Sequence, residues 1–174
     1  MSRARRPREE EARRRPPPPS PASRRPRAAP EPFSARDMVH EEEMASRLEE
    51  REPLARRVLE RIEERGGRID PYFDRLSIDE AISNAVIHGN RGDPAKKVRV
   101  RAFVRDGGWG VEVTDEGEGF DHRRWLARLG EPPDLESPSG RGIALILGSG
   151  AELRFLDGGR RLLIVRGGKG GEER

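Results

Sequence analysis

Three short stretches of the chain carry residue types that can do chemistry together. The first runs Glu80-Ala-Ile-Ser-Asn84-Ala-Val-Ile-His88-Gly89-Asn90. Glu80, Asn84 and His88 recur every fourth residue, so on a helix they share one face. A carboxylate and a carboxamide one turn apart suit a metal–phosphate site. Mg²⁺ takes six oxygen ligands, and an Asn carbonyl supplies one while phosphates and water supply the rest. The carboxylate can then accept a proton from an attacking hydroxyl or water. Read alone, the same residues also describe a solvated polar helix face.

The second stretch is Asp115-Glu-Gly117-Glu-Gly119-Phe120, just after a strand pattern. Glycines there let backbone approach a flat ligand closely. Asp115 can accept a hydrogen bond from an exocyclic amino group such as that of adenine, and it mismatches a carbonyl at the same position. An ordinary acidic turn has the same composition. The third stretch is Gly140-Arg141-Gly142, opening an apolar run at residues 143–147. Glycines before a helix leave its first amides free for phosphate, and Arg141 adds a charge able to reach a phosphate chain. A flexible loop meeting a helix reads identically. No G-x-x-x-x-G-K-[ST] loop occurs anywhere in the chain, and the Gly-rich 167–171 segment lacks its spacing.

These stretches need elements to hold them. Residues 37–65 read as helical with a break at Pro53, since Leu54, Val58, Leu59 and Ile62 recur at helical spacing and Gly66-Gly67 supply the stop. A second helix is expected over residues 74–88, with Leu76, Ile78, Ala81, Ile82, Ala85 and Val86 as its apolar stripe. Val98, Val100, Ala102 and Val104 alternate with charged residues. Gly107-Gly108 then turns the chain into Trp109, Val111 and Val113, a hairpin with one face buried. After a polar stretch, residues 143–147 make a short apolar helix. A last hairpin pairs Leu153 and Phe155 with residues 162–165 around Asp157-Gly158-Gly159. Segregated helices and antiparallel strands predict an α+β fold: a two-layer α/β sandwich, mostly antiparallel, with helices on one face.

Charge divides the chain. Residues 1–36 hold 11 Arg against 4 Glu and 9 of the 15 prolines, whereas the remainder holds 24 basic and 28 acidic residues. The high pI therefore belongs to the tail, and the fold itself lacks the basic surface of a DNA-binding domain. An Arg/Pro-rich segment with so little apolar surface is expected to be disordered, either a solvated tail or a weak contact for nucleic acid or an acidic partner. The chain has no Cys, hence no thiol chemistry or disulfide frame, which suits a reducing cytoplasm. Its longest apolar stretch falls far short of the roughly 20 residues that span a bilayer, so no membrane association is expected.

In this order, the three stretches resemble the GHKL ATP-binding superfamily of gyrase-type, chaperone, histidine-kinase and mismatch-repair ATPases. The likeness covers residues 54–166, and Asp79-Glu80-Ala-Ile-Ser-Asn84-Ala-Val-Ile-His88-Gly89-Asn90 looks most like the corresponding helix of the anti-sigma-factor serine/threonine kinases. The resemblance implies ATP and Mg²⁺ as cofactors. Asn84 would coordinate the Mg²⁺ that bridges the phosphates, and Glu80 would be the general base. Asp115 would bind the adenine amino group, with Gly117 and Gly119 closing on the base. Residues 121–139 would form a lid, and Gly140, Arg141 and Gly142 would wrap the phosphates. The implied reaction moves the γ-phosphoryl group to Ser or Thr of a small antagonist (anti-anti-sigma) protein. The implied second partner is a sigma factor, and a homodimer stays open.

The chain departs from the family at three places. Pro138 stands where the lid often has an Arg, Gly159-Arg160 stands where the last hairpin often has Gly-Thr, and residues 37–53 read as a charged helical extension in place of an opening strand. His40 lies in that extension, in a Val-His-Glu-Glu-Glu context ill suited to a phosphorylated His. Pro138 and Arg160 keep an alternative in view: a nucleotide-responsive protein-binding module without kinase activity. A nucleic-acid-associated protein acting through the tail is a third reading. Residues 167–174 read as a flexible end.

Overall fold

A computed structural model describes residues 32–119 and 150–167, together with Ile146 and Gly148. The lid at 121–139, Gly140, Arg141, Gly142, Pro138 and the tail up to residue 31 lie outside the described residues. Of the expected short helix at 143–147, only Ile146 is described; it is helical and fully buried.

The first element is a difference from expectation. Met38–Ala45 is a strand, β1, and not a helix. It pairs antiparallel with β2, Lys97–Arg105, across the register Glu41↔Arg101 and Glu43↔Arg99. Three consecutive glutamates carry no strand signal by themselves. Their partners lie 56 and 60 residues away: Arg99 donates to Glu43 at 2.5 Å and Arg101 to Glu41 at 2.8 Å. Opposite charges facing each other across a ladder stabilise the pairing that local propensity leaves undecided. The opening strand is therefore present, and the folded domain begins well before residue 54. His40 sits on this strand, partly buried and 3.2 Å from the Glu42 carboxylate, and not on a helix.

Helix α1 follows at Arg51–Glu64. Pro53 lies in its first turn, where a missing N–H costs no intrahelical bond, so it starts the helix and does not break it. Leu54, Ala55, Val58, Leu59 and Ile62 are all buried on one face. The amides of Gly66 and Gly67 close the end onto the carbonyls of Glu63 and Ile62, both at 2.9 Å. Helix α2 spans Phe73–Asn84. Asp70 caps its start by accepting from the Tyr72 and Phe73 amides at 3.0 Å. Its buried face includes Ile78, Ala81 and Ile82, and also Asp74.

The sheet is completed by β3, Gly108–Asp115, then β4, Glu152–Leu156, and β5, Arg161–Arg166. The order is β1-β2-β3-β5-β4 with every neighbour antiparallel. Val98, Val100, Ala102, Trp109, Val111, Val113 and Ile164 face α1 and α2 in one core. The expected two-layer α+β fold with helices on one face is the fold observed. One detail differs. β3 is buried on both faces from Gly108 to Val113, because its outer face is covered too. Phe33 lies over Gly110 and stacks on Phe103 with ring centroids 5.7 Å apart, and Arg101 and Arg161 both approach the buried Glu112.

Candidate nucleotide site

Glu80 and Asn84 stand one turn apart on α2, away from its buried stripe and partly exposed. Among the described residues neither side chain makes a hydrogen bond or an ion pair, so both polar ends are available to a ligand. Asp79, just before Glu80, faces the other way, toward α1. Burial raises its carboxyl above the ordinary value, and among the described residues its enclosed Oδ1 has no hydrogen-bond partner.

After Asn84 the helix widens into a π turn, Ala85–Gly89. The Asn90 amide donates to the Ala85 carbonyl, five residues back, at 2.8 Å. One extra residue in a turn re-aims whatever follows it, and such bulges recur at functional sites. Here the turn drives Gly89 against the end of β3. A Cβ on Gly89 would lie 2.3 Å from the Asp115 carboxyl carbon, and a Cβ on Gly117 would lie 2.0 Å from the Gly89 carbonyl oxygen. Gly119, at φ 78°, meets the Gly158 carbonyl in the same way, at 2.3 Å. Only glycine permits these approaches. Asp115 itself is held by the Gly117 amide, which donates to Oδ1 at 2.8 Å, and by its own amide, which donates to the Arg160 carbonyl at 3.0 Å. Burial pushes the Asp115 carboxyl above its ordinary value, opposed by the Gly117 hydrogen bond and by the charges of Arg160 and Lys96.

Asn90 was not singled out from its residue type, yet it locks this corner. It is fully buried; its Nδ2 donates to the Lys97 carbonyl at 2.9 Å, and its Oδ1 accepts from the Glu116 amide at 2.8 Å. A carboxamide placed straight after a helix-ending glycine is the one sequence sign of it. The structure thus brings two of the three stretches together through Gly89, which ends the helix carrying Glu80 and Asn84 and packs on Asp115 and Gly117. Gly140, Arg141 and Gly142 belong to the third stretch, outside the described residues. Among the described residues no three His, Asp or Glu side chains cluster in a way that would hold a metal. No helix among them is long and apolar enough to cross a membrane.

An antiparallel sheet with two helices on one face, and glycines packed on an aspartate at a strand end, is the architecture of an ATPase domain of the histidine kinase type. The chain belongs to the histidine kinase-like ATPase domain family, whose model matches residues 44–165. Among curated proteins it is similar to the anti-sigma F factor of Clostridium botulinum (strain Eklund 17B / Type B), 29% identical over 89 residues. That match covers 45% of this chain and 59% of the relative. It is similar as well to the anti-sigma F factor of Geobacillus kaustophilus (strain HTA426), 37% identical over 58 residues, covering 30% of this chain and 40% of the relative. The chain therefore spans between two fifths and three fifths of the length of these relatives.

Proposed function

We propose that this protein binds ATP with Mg²⁺ and acts as an anti-sigma-type serine/threonine protein kinase, with a sigma factor and a small antagonist protein as its partners. The observation that carries the reading is the contact of Gly89, Asp115 and Gly117 at the foot of the helix that presents Glu80 and Asn84. The names of the similar proteins support the regulatory half of it.

In this reading Asp115 accepts from the adenine amino group, and Gly117 and Gly119 leave room for the base. Asn84 would give its carbonyl oxygen to Mg²⁺. The donor set fits an ion that arrives with the nucleotide: the Asn84 carbonyl supplies one oxygen and, among the described residues, there is no preformed acidic cluster, the rest coming from phosphates and water. When bound, the metal neutralises charge on the phosphates. Glu80 accepts the proton of the antagonist's hydroxyl as that oxygen bonds to the γ-phosphorus and the bond from phosphorus to the β–γ bridging oxygen breaks, releasing ADP. Gly140, Arg141 and Gly142 wrap the phosphate chain. The protein works in the cytoplasm, with the domain from β1 to β5 as the catalytic core and residues 1–36 as a basic tail.

Purified protein incubated with Mg-ATP and the antagonist is expected to yield phosphoserine or phosphothreonine, lost in Glu80→Ala while ATP still binds. Full activity in that variant would remove Glu80 as the base. A second reading, a nucleotide-responsive binding module, is favoured by Arg160, a bulky cation beside Asp115. It requires nucleotide-dependent partner affinity with no phosphate moved, and stoichiometric phosphorylation of a partner would end it.

A further inference from the structure

Helix α2 is held from behind at the point where its hydrogen bonding changes. The Ala85 amide is shared between the carbonyls of Ala81 and Ile82, and the π turn follows directly. Ser83 and Asn84 are the last residues before that change. Asn84 is partly exposed, whereas Ser83 is 8% exposed and bonded to α1. Arg51, the first residue of α1, reaches across and donates from Nη1 to the Ser83 hydroxyl oxygen at 3.1 Å. The same hydroxyl donates to the Asp79 carbonyl, one turn back, at 2.8 Å. One serine thus ties a guanidinium on α1 to the turn of α2 that ends in Asn84. The anchor is firm, because Leu54 and Ala55 in the same turn of α1 are fully buried in the core.

Stability alone does not account for the contact. The Arg51 Nε is enclosed, with no hydrogen-bond partner among the described residues. An enclosed donor without a partner offsets much of what one hydrogen bond contributes. A second crossing between the two helices, from Arg75 to Glu52, is exposed at both ends and adds little. What Arg51 supplies is direction. The Asn84 side chain makes no hydrogen bond of its own among the described residues, so its aim comes from the backbone beneath it.

We infer that Arg51 is a positioning residue for Asn84, acting through Ser83. The inference rests on the reading above, in which the Asn84 carbonyl meets the Mg²⁺ that arrives with ATP. Mg²⁺ demands near-ideal octahedral geometry, so an oxygen offered to it must be well aimed. The change to π bonding leaves that aim loosely set by α2 itself, and the tether to α1 fixes it.

The test is calorimetric titration of ATP in Mg²⁺ and again in EDTA, beside thermal melts. The proteins are the wild type, Ser83→Ala, Arg51→Met and Arg51→Lys. The readout is the ratio of the two affinities, which separates metal-dependent binding from contacts to the base. The wild type is expected to bind ATP more tightly with Mg²⁺ than without. In Arg51→Met and in Ser83→Ala that ratio should fall about tenfold, the scale of one hydrogen bond to a charged group. Affinity in EDTA should stay within about twofold of wild type. Arg51→Lys, which keeps a charged donor, should recover part of the loss. Arg51→Met combined with Ser83→Ala should be no worse than either alone, because both remove the same bond. Additive losses would overturn the inference. An unchanged ratio in the single variants would overturn it as well, while leaving the Mg-ATP site standing. So would equal weakening with and without Mg²⁺, the mark of a loosened helix pair. Should Arg51→Met fail to fold, Ser83→Ala decides by the same ratio. A wild type that binds ATP no better with Mg²⁺ would overturn both this inference and the role of Asn84.

Discussion

The carbonyl oxygen of Gly89 occupies the space that a side chain on Gly117 would need, 2.0 Å from the ideal Cβ position. Backbone is touching backbone, at the point where the helix carrying Glu80 and Asn84 meets the strand carrying Asp115. The geometry of both halves therefore depends on the absence of one methyl group.

Gly117→Ala is the direct probe. The methyl can be accommodated only by moving the π turn away from β3, because the obstructing atom is main chain. Overpacking of this kind costs about 1–3 kcal/mol. A lower melting temperature is expected together with at least about tenfold weaker ATP binding by calorimetry. Wild-type affinity in this variant would show that the turn and the strand end do not act together on the ligand.

Asp115→Asn should separate stability from binding. Burial raises the Asp115 carboxyl in the fold above its unfolded value, despite the Gly117 hydrogen bond. The folded state thus holds this proton more tightly than the unfolded chain. The group favours folding below its unfolded value and loses that contribution as pH rises through the folded one. At pH 7 the ionised carboxylate weighs against the fold, and the neutral Asn removes that weight while its oxygen can still accept from the Gly117 amide. A melting temperature at or above wild type is expected, with ATP affinity down about tenfold or more. Wild-type ATP affinity should itself decline on acidification, starting above the pH at which an ordinary aspartate protonates. A melting temperature clearly below wild type at pH 7 would contradict this account.

Asn90→Ala tests the lock on the same corner. It removes the bonds to Lys97 and Glu116 and leaves both backbone groups without their partner. A group stranded where water cannot reach it costs about 1–3 kcal/mol. Urea denaturation should show a markedly lower midpoint, and a midpoint within error of wild type would mean that water replaces the carboxamide fully.

Far from the site, Asp74→Ala should be among the more damaging substitutions. Asp74 is 1% exposed, accepts from Arg166 at 2.6 and 2.8 Å, and takes the Asp70 amide at 2.7 Å. It ties the start of α2 to the last strand. Removing one partner of a buried ion pair costs about 3–5 kcal/mol. Chemical denaturation would measure it, and a loss below about 1 kcal/mol, the scale of an exposed pair, would mean that the pair is well solvated.

The placement of Glu80 and Asn84 on one helix face was legible in the sequence, because helical spacing is a local property of 3.6 residues per turn. So were the hairpin around Gly107 and the position of Asp115 at a strand end, since alternation and turn residues lie within a few positions of one another. The identity of β1 was not. A run of glutamates becomes a strand only when Arg99 and Arg101 stand opposite Glu43 and Glu41, and pairing at that separation leaves no local trace. The double-sided burial of β3 was hidden for the same reason, as it depends on Phe33 and Arg161 arriving from remote parts of the chain.

The sequence by itself determined the α+β architecture, the spacing of the polar face on α2 and the glycines after β3, all set by short-range periodicity and by residues that tolerate only certain backbone shapes. Tertiary structure alone decided that α2 ends in a π turn, that this turn presses Gly89 onto Asp115 and Gly117, and that Asn90 and Arg160 flank the same corner. Those contacts join residues that are distant in the chain. Their free energy comes from packing and from buried hydrogen bonds that form only once the sheet and helices have met.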